Sequence, residues 1–107
     1  MQVLIGKFVI NDIDNIAIYI AKDSEFYALK TKNEIYDKIY GLETSMYHGR
    51  RVPELDNNSI QELIYHDNYR IIFQIQNDVV YILQVLNARQ SFNKNFRFEN
   101  LKSVNSN

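Results

Sequence analysis

YRIIFQIQNDVVYILQVLNAR, residues 69–89, contains two apolar runs, a polar break between them and an arginine near each end. Both runs are rich in β-branched and aromatic residues, the composition of strands. The break QND at 76–78 supplies Asn and Asp, which tolerate left-handed backbone angles, so 69–76 and 79–87 are expected to pair as a hairpin. A third run, 59–65, precedes them across HDN at 66–68 and completes a three-stranded antiparallel meander. Alternation puts Tyr69, Ile71, Phe73 and Ile75 on one face of the middle strand, and Arg70, Ile72, Gln74 and Gln76 on the other. In the last strand Val79, Tyr81, Leu83 and Val85 share a face, with Val80, Ile82, Gln84 and Leu86 opposite. A sheet with one solvated face is polar outside. Here the second face stays partly apolar, so a cover is expected: the chain's own C-terminal phenylalanines, a second copy or another protein.

Upstream of the meander, QVLI at 2–5 reads as a strand. From 7 to 21, Phe8, Ile10, Ile13, Ile16, Ala17 and Ile20 recur at steps of mostly three and four, an amphipathic helix. Ser24 is placed to cap a second helix running to about residue 42, with Glu25 in its first turn. Its apolar positions are Phe26, Ala28, Leu29, Ile35, Ile39 and Leu42. So short a link makes the two helices an antiparallel hairpin. Residues 43–58, ETSMYHGRRVPELDNN, hold the only proline and read as a long loop with a short extended piece at 51–55. The expected class is α+β: an N-terminal strand, a helical hairpin and a meander, the helices on one face of a four-stranded sheet. One domain is expected at 1–92, with 93–107 as a polar, partly disordered extension.

The chain has 107 residues, 46% hydrophobic and 23% charged, with no cysteine and two histidines. Disulfides and thiolate zinc sites are thereby excluded, and neither a metal nor a cofactor is expected. The apolar start is shorter than a signal peptide or the roughly 18 residues of a membrane span, so the cytoplasm is the expected location. The net charge of −1 argues against an obvious nucleic-acid binder. Its distribution is uneven. Residues 1–48 carry five Lys, no Arg and seven acids, whereas all five Arg fall in 49–107. Arginine offers a rigid donor fork suited to phosphate and carboxylate. Arg70 begins the middle strand and Arg89 follows the last, so both are expected at the same sheet edge, with the Arg50–Arg51 pair of the loop folding towards them.

The loop GRRVPEL at 49–55, followed by IQEL at 60–63, YRI at 69–71 and VLNAR at 85–89, resembles the RelE/ParE superfamily of type II toxin–antitoxin toxins, most closely its ParE-like branch. DIDNIAIYIA at 12–21 is similar to the family's first helix. The resemblance spans roughly residues 2–92. It implies a compact growth-inhibiting toxin, of the kind linked to plasmid stabilisation, around which a cognate antitoxin wraps. ParE-like members poison DNA gyrase, and RelE-like members cut mRNA in the ribosome. Gln61 stands where the ParE-like pattern has arginine, and Asn87 where it has histidine, which leaves an inactive homologue or a structural binding module as further alternatives. A homodimer or a toxin–antitoxin hetero-oligomer is compatible with the pattern.

RNA cleavage needs a base, a leaving-group acid and cations for the phosphorane charge. Arg51, Arg70 and Arg89 are candidate cations, and His48 or Glu54 a candidate base. His66 falls in a turn. Arginine itself stays protonated and is a poor base. A non-enzymatic gyrase inhibitor is therefore favoured over an endoribonuclease, with Arg51, Arg70, Arg89, His48 and Glu54 as target contacts. Ile72, Val80, Ile82 and Phe92 are the expected antitoxin contacts.

Overall fold

His66, Asp67, Asn77 and Asp78 all hold positive φ, between 49° and 63°. These are the polar breaks expected between strands, and paired positive φ values give the turn whose twist matches that of a hairpin. The computed structural model describes residues 1–44, 49–57 and 59–88. Along the chain run β1 (Gln2–Ile5), α1 (Lys7–Ala21), α2 (Glu25–Gly41), a 3-10 turn (Leu42–Thr44), β2 (Arg50–Arg51), β3 (Ile60–Tyr65), β4 (Tyr69–Gln76) and β5 (Val79–Asn87). Ser24 caps α2 as its sequence position suggests, accepting the Tyr27 N–H at 3.2 Å. The sheet order is β1-β5-β4-β3-β2. β1 lies parallel to β5, and the remaining pairs are antiparallel. Five strands replace the expected four. The added one is β2, and the loop's extended piece sits at Arg50–Arg51 rather than 51–55 because Arg50 pairs across from Glu62, and Arg51 from Gln61.

The helices cover one face of the sheet. Val9 and Ile13 of α1 and Ile35 and Ile39 of α2 meet Leu63, Ile71, Phe73, Val80, Ile82 and Val85 in the main core. A second, smaller core lies on the other face: Ile60, Ile72, Leu83 and Leu86 beneath Val52, with Leu55 and Tyr81 at its margin. The apolar outer face is thus closed by residues 52–55 of the same chain. Neither a second copy nor a foreign protein is needed to cover it, and the C-terminal phenylalanines lie outside the described residues.

Simple alternation fails in β5 for a local reason. Ile72 pairs with Gln84 but Phe73 pairs with Ile82, so Leu83 is an extra residue, a β-bulge. Beyond it the parity flips. Val85 joins Val80 and Ile82 under the helices, while Leu86 joins Leu83 on the strap side. One strand thereby feeds both cores. β1 ends opposite Ile82, and past that point the Val85 N–H is taken by the Asp12 carboxylate of α1 at 3.1 Å. Asp12 thus supplies a partner that the short β1 cannot. Among the described residues no helix is long and apolar enough to cross a membrane.

Candidate functional site: the strap and its arginines

Residues 52–55 form a strap over the outer face of the sheet, entered through Gly49 and the edge strand β2, and three features hold this segment. The first is the close approach of Gly49. A Cβ there would stand 2.5 Å from Phe73 Cζ, 2.8 Å from Gln61 Oε1 and 2.9 Å from Gln61 Cβ, so only glycine fits without displacement. The second is Val52, fully buried in the smaller core, worth about 1.5–3 kcal/mol of transferred apolar surface. The third is electrostatic. Glu62 and Arg70 point to the outer face, Glu62 being opposite Ile72 and Arg70 two residues before it, so they sit diagonally and within reach.

The Arg70 guanidinium is fully engaged. Its Nε donates to Glu62 Oε2 at 2.7 Å. Its terminal nitrogens donate to the two oxygens of Glu54 at 2.8 and 2.7 Å, a bidentate fork. Glu62 Oε1 in turn accepts from Arg50 Nε at 3.1 Å. Two acids and two arginines therefore alternate along one network. The Arg70 side chain is 8% exposed and that of Glu62 0%, against 65% for Arg50. The hydrogen bonds to Glu54 hold the Arg70 guanidinium above its ordinary pKa, with Glu62 adding to them and burial working the other way.

The expected site residues do not share one surface. Arg70 and Glu54 are joined to each other in a clamp, because a buried guanidinium between two carboxylates is stable only when paired. Ile72, Val80 and Ile82 are fully buried in this chain's own cores, Ile72 beneath the strap and the other two beneath the helices, so their side chains offer no surface to an antitoxin. Among the described target-contact candidates the Arg51 side chain is 57% exposed and paired with Asp56, that of Glu54 29% and that of Arg70 8%. His48, Arg89 and Phe92 lie outside the described residues. Sequence reasoning missed Glu62. The spacing of EL in IQEL, two residues from the paired Ile60 edge and diagonal to YRI, was the available signal. Elsewhere, Tyr65 donates its hydroxyl to Glu34 of α2 and stacks on His66 and Tyr69, tying the first hairpin turn to the helices.

The three motif fragments that the clamp joins, VPEL, EL and YRI, are the ones that carry the family likeness, and the comparisons agree. The profile of the family described as "ParE toxin of type II toxin-antitoxin system, parDE" matches residues 4–92. This chain belongs to the ParE toxin family. A solved structure described as "Chromosomal ParDE TA system from P. aeruginosa" shares the fold, with a TM-score of 0.67, 17% identity, and coverage of 83% of this chain and 97% of that one. The chain is also similar to the "Uncharacterized mitochondrial protein RF1" of Saccharomyces cerevisiae, 33% identical over 89 residues, 83% of this chain but only 18% of that protein. The loop and strand motifs of this ParE-family chain thus form one ion-paired unit that fixes the strap and leaves Arg50 and Arg51 exposed on the edge strand.

Proposed function

We propose that this ParE-family chain acts as a toxin that inhibits DNA gyrase by binding, and that a cognate antitoxin neutralises it. The single observation that carries the reading is the family match over 4–92. The clamp supports binding over cleavage. A ribonuclease must present a cation to the developing phosphorane, and Arg70 has all three guanidinium nitrogens committed to Glu54 and Glu62. Glu54, the candidate base of the strap, is held in the same bidentate pair. What the strap presents to a target is Arg51, and beside it Arg50, on a sheet edge. An antitoxin must seat on exposed side chains, and Ile10, Tyr40 and Ile75 are open to one, besides the tip of the helical hairpin.

The test is a supercoiling assay with purified gyrase, run beside transcript cleavage in a ribosome-containing extract. Blocked supercoiling with intact transcripts is the expected result. Cut transcripts with unimpaired supercoiling would replace this reading with a RelE-like endoribonuclease. No effect in either assay, and no growth arrest on expression, would leave an inactive homologue.

A further inference from the structure

The exposed apolar side chains at the hairpin tip, Ile18, Tyr19, Phe26, Tyr27 and Leu29, stand open to the antitoxin. A polar cleft elsewhere has no part in that surface or in the strap. It lies where α2 passes the first hairpin turn, lined by Glu34, Asp37, Lys38, Tyr65 and His66. Positions 34, 37 and 38 are three and four residues apart and so share one face of α2. The cleft measures about 230 Å³, less than the roughly 300–1,000 Å³ of a drug-sized site, and is of a scale for one side chain. Its aromatic wall is held in place. The His66 imidazole lies on the Tyr65 ring, with centres 4.3 Å apart and planes 16° from parallel. Tyr65 stacks in turn on Tyr69 at 6.2 Å and 23°, and its hydroxyl is fixed by Glu34 Oε2. One face of the imidazole is therefore covered, and the other is turned away from Tyr65 on an exposed residue.

The acids of the cleft have unused capacity. Glu34 takes the Tyr65 hydroxyl on Oε2, and among the described residues its Oε1 accepts nothing. Asp37 has neither a hydrogen bond nor an ion pair among them. Lys38 brings the opposing charge to the lining and already has a partner. Two carboxylates against one ammonium favour a cation. No three His, Asp or Glu side chains among the described residues converge as a metal ion requires. The complement of a flat aromatic face beside two carboxylates is a flat cation. A guanidinium is planar and weakly hydrated, stacks on aromatic faces and donates in a fork to carboxylates. An ammonium is a compact, strongly hydrated point charge and gains less from such a wall. Free arginine would also bring a carboxylate, and Lys38, the cation of the lining, is taken. We infer that this cleft is a guanidinium site for an arginine side chain of a partner protein. The cation stacks on His66 and donates to Glu34 Oε1 and the Asp37 carboxylate. Such a site is independent of whether the toxin's target is gyrase or the ribosome.

Titration of the full chain with the capped peptide acetyl-Ala-Arg-Ala-amide, followed by proton NMR of the aromatic rings, tests this. The Tyr65 and His66 signals should move along one saturable curve with millimolar affinity, since exposed ion pairs and stacks are individually weak. The matching lysine peptide should bind about fivefold less tightly. Free L-arginine should also bind less tightly than the arginine peptide. Asp37→Asn, at an exposed position, should weaken peptide binding about fivefold with an unchanged melt. His66→Asn keeps a residue that tolerates the left-handed turn and removes the stacking face, so the Tyr65 signal should report a similar loss. A purely structural role for His66 predicts instead a changed melt with the preference for arginine over lysine intact. Absence of a saturable shift, equal binding of the two peptides, or indifference to both variants would overturn the inference. Tighter binding of free L-arginine than of the peptide would also overturn it, by assigning the cleft to a small molecule.

Discussion

Two arginines nineteen positions apart in the chain have opposite roles, and burial decides which is which. Arg70 is enclosed with Glu62, whose side chain has no exposure, so removing the guanidinium strands a buried carboxylate. Arg70→Ala should cost about 3–5 kcal/mol, a fall of roughly 15–25 °C in melting temperature at about 5 °C per kcal/mol. Adding Glu62→Ala should recover part of that loss, because the stranded charge is then gone. A thermal melt showing less than about 1 kcal/mol for Arg70→Ala would mean that the clamp contributes little. Arg51 is exposed and its pair with Asp56 is a surface pair, so Arg51→Ala should change stability by no more than about 0.5 kcal/mol. The same variant should weaken gyrase inhibition about tenfold, since an arginine at an interface edge acts on the partner and not on the fold. Full inhibition by Arg51→Ala would remove this residue from the target surface. Sequence singled out both arginines. It did not separate them, because the acids that bury Arg70 come from two different segments.

At the scale of elements, the strap is the part whose position depends on contacts distant in sequence. Gly49 lies against Phe73 and Gln61 with no room for a methyl group. Gly49→Ala should therefore destabilise by about 1–3 kcal/mol, as overpacking does. It should also lift the strap, read as faster protease cleavage within 50–57 at temperatures where the wild type resists. An unchanged melt and cleavage rate would show that the strap shifts at no cost. The strands and helices themselves were legible: α1, β1, β4 and β5 have the bounds that periodicity predicts, and the turns carry left-handed residues at Asp67, Asn77 and Asp78 as their chemistry suggested, with His66 in place of Asn68 as the fourth. The β-bulge at Leu83 was not legible. A run as apolar as VVYILQVL satisfies both faces at every position, so nothing in its pattern marks where the alternation slips.

At the scale of the whole molecule, two partly buried tyrosines join its layers and give it an alkaline limit. Burial raises the Tyr36 phenol above its ordinary value of 10.0, with the charge of Asp14 adding to it, and burial followed by Tyr19 does the same at Tyr69. The folded chain thus keeps these protons at a pH where the unfolded chain has released them. Their contribution is complete below about pH 10 and is lost as pH rises through that value towards the folded pKa. Denaturant melts of the wild type should lose stability from about pH 10 upward, and the double variant Tyr36→Phe/Tyr69→Phe should lose less over the same range. An equally steep loss in the double variant would place the alkaline limit elsewhere. The sequence by itself determined the element order, the hairpin turns, the helix cap and the ParE-family likeness, because each is written in spacing between residues that are near one another along the chain. Only the tertiary structure decided that the second apolar face is sealed from within, that Arg70 is a clamp while Arg51 is a surface, and that the apolar excess emerges at the helix tip. Those outcomes depend on which distant segments meet, and on how far two helices outrun the sheet beneath them, which no local pattern encodes.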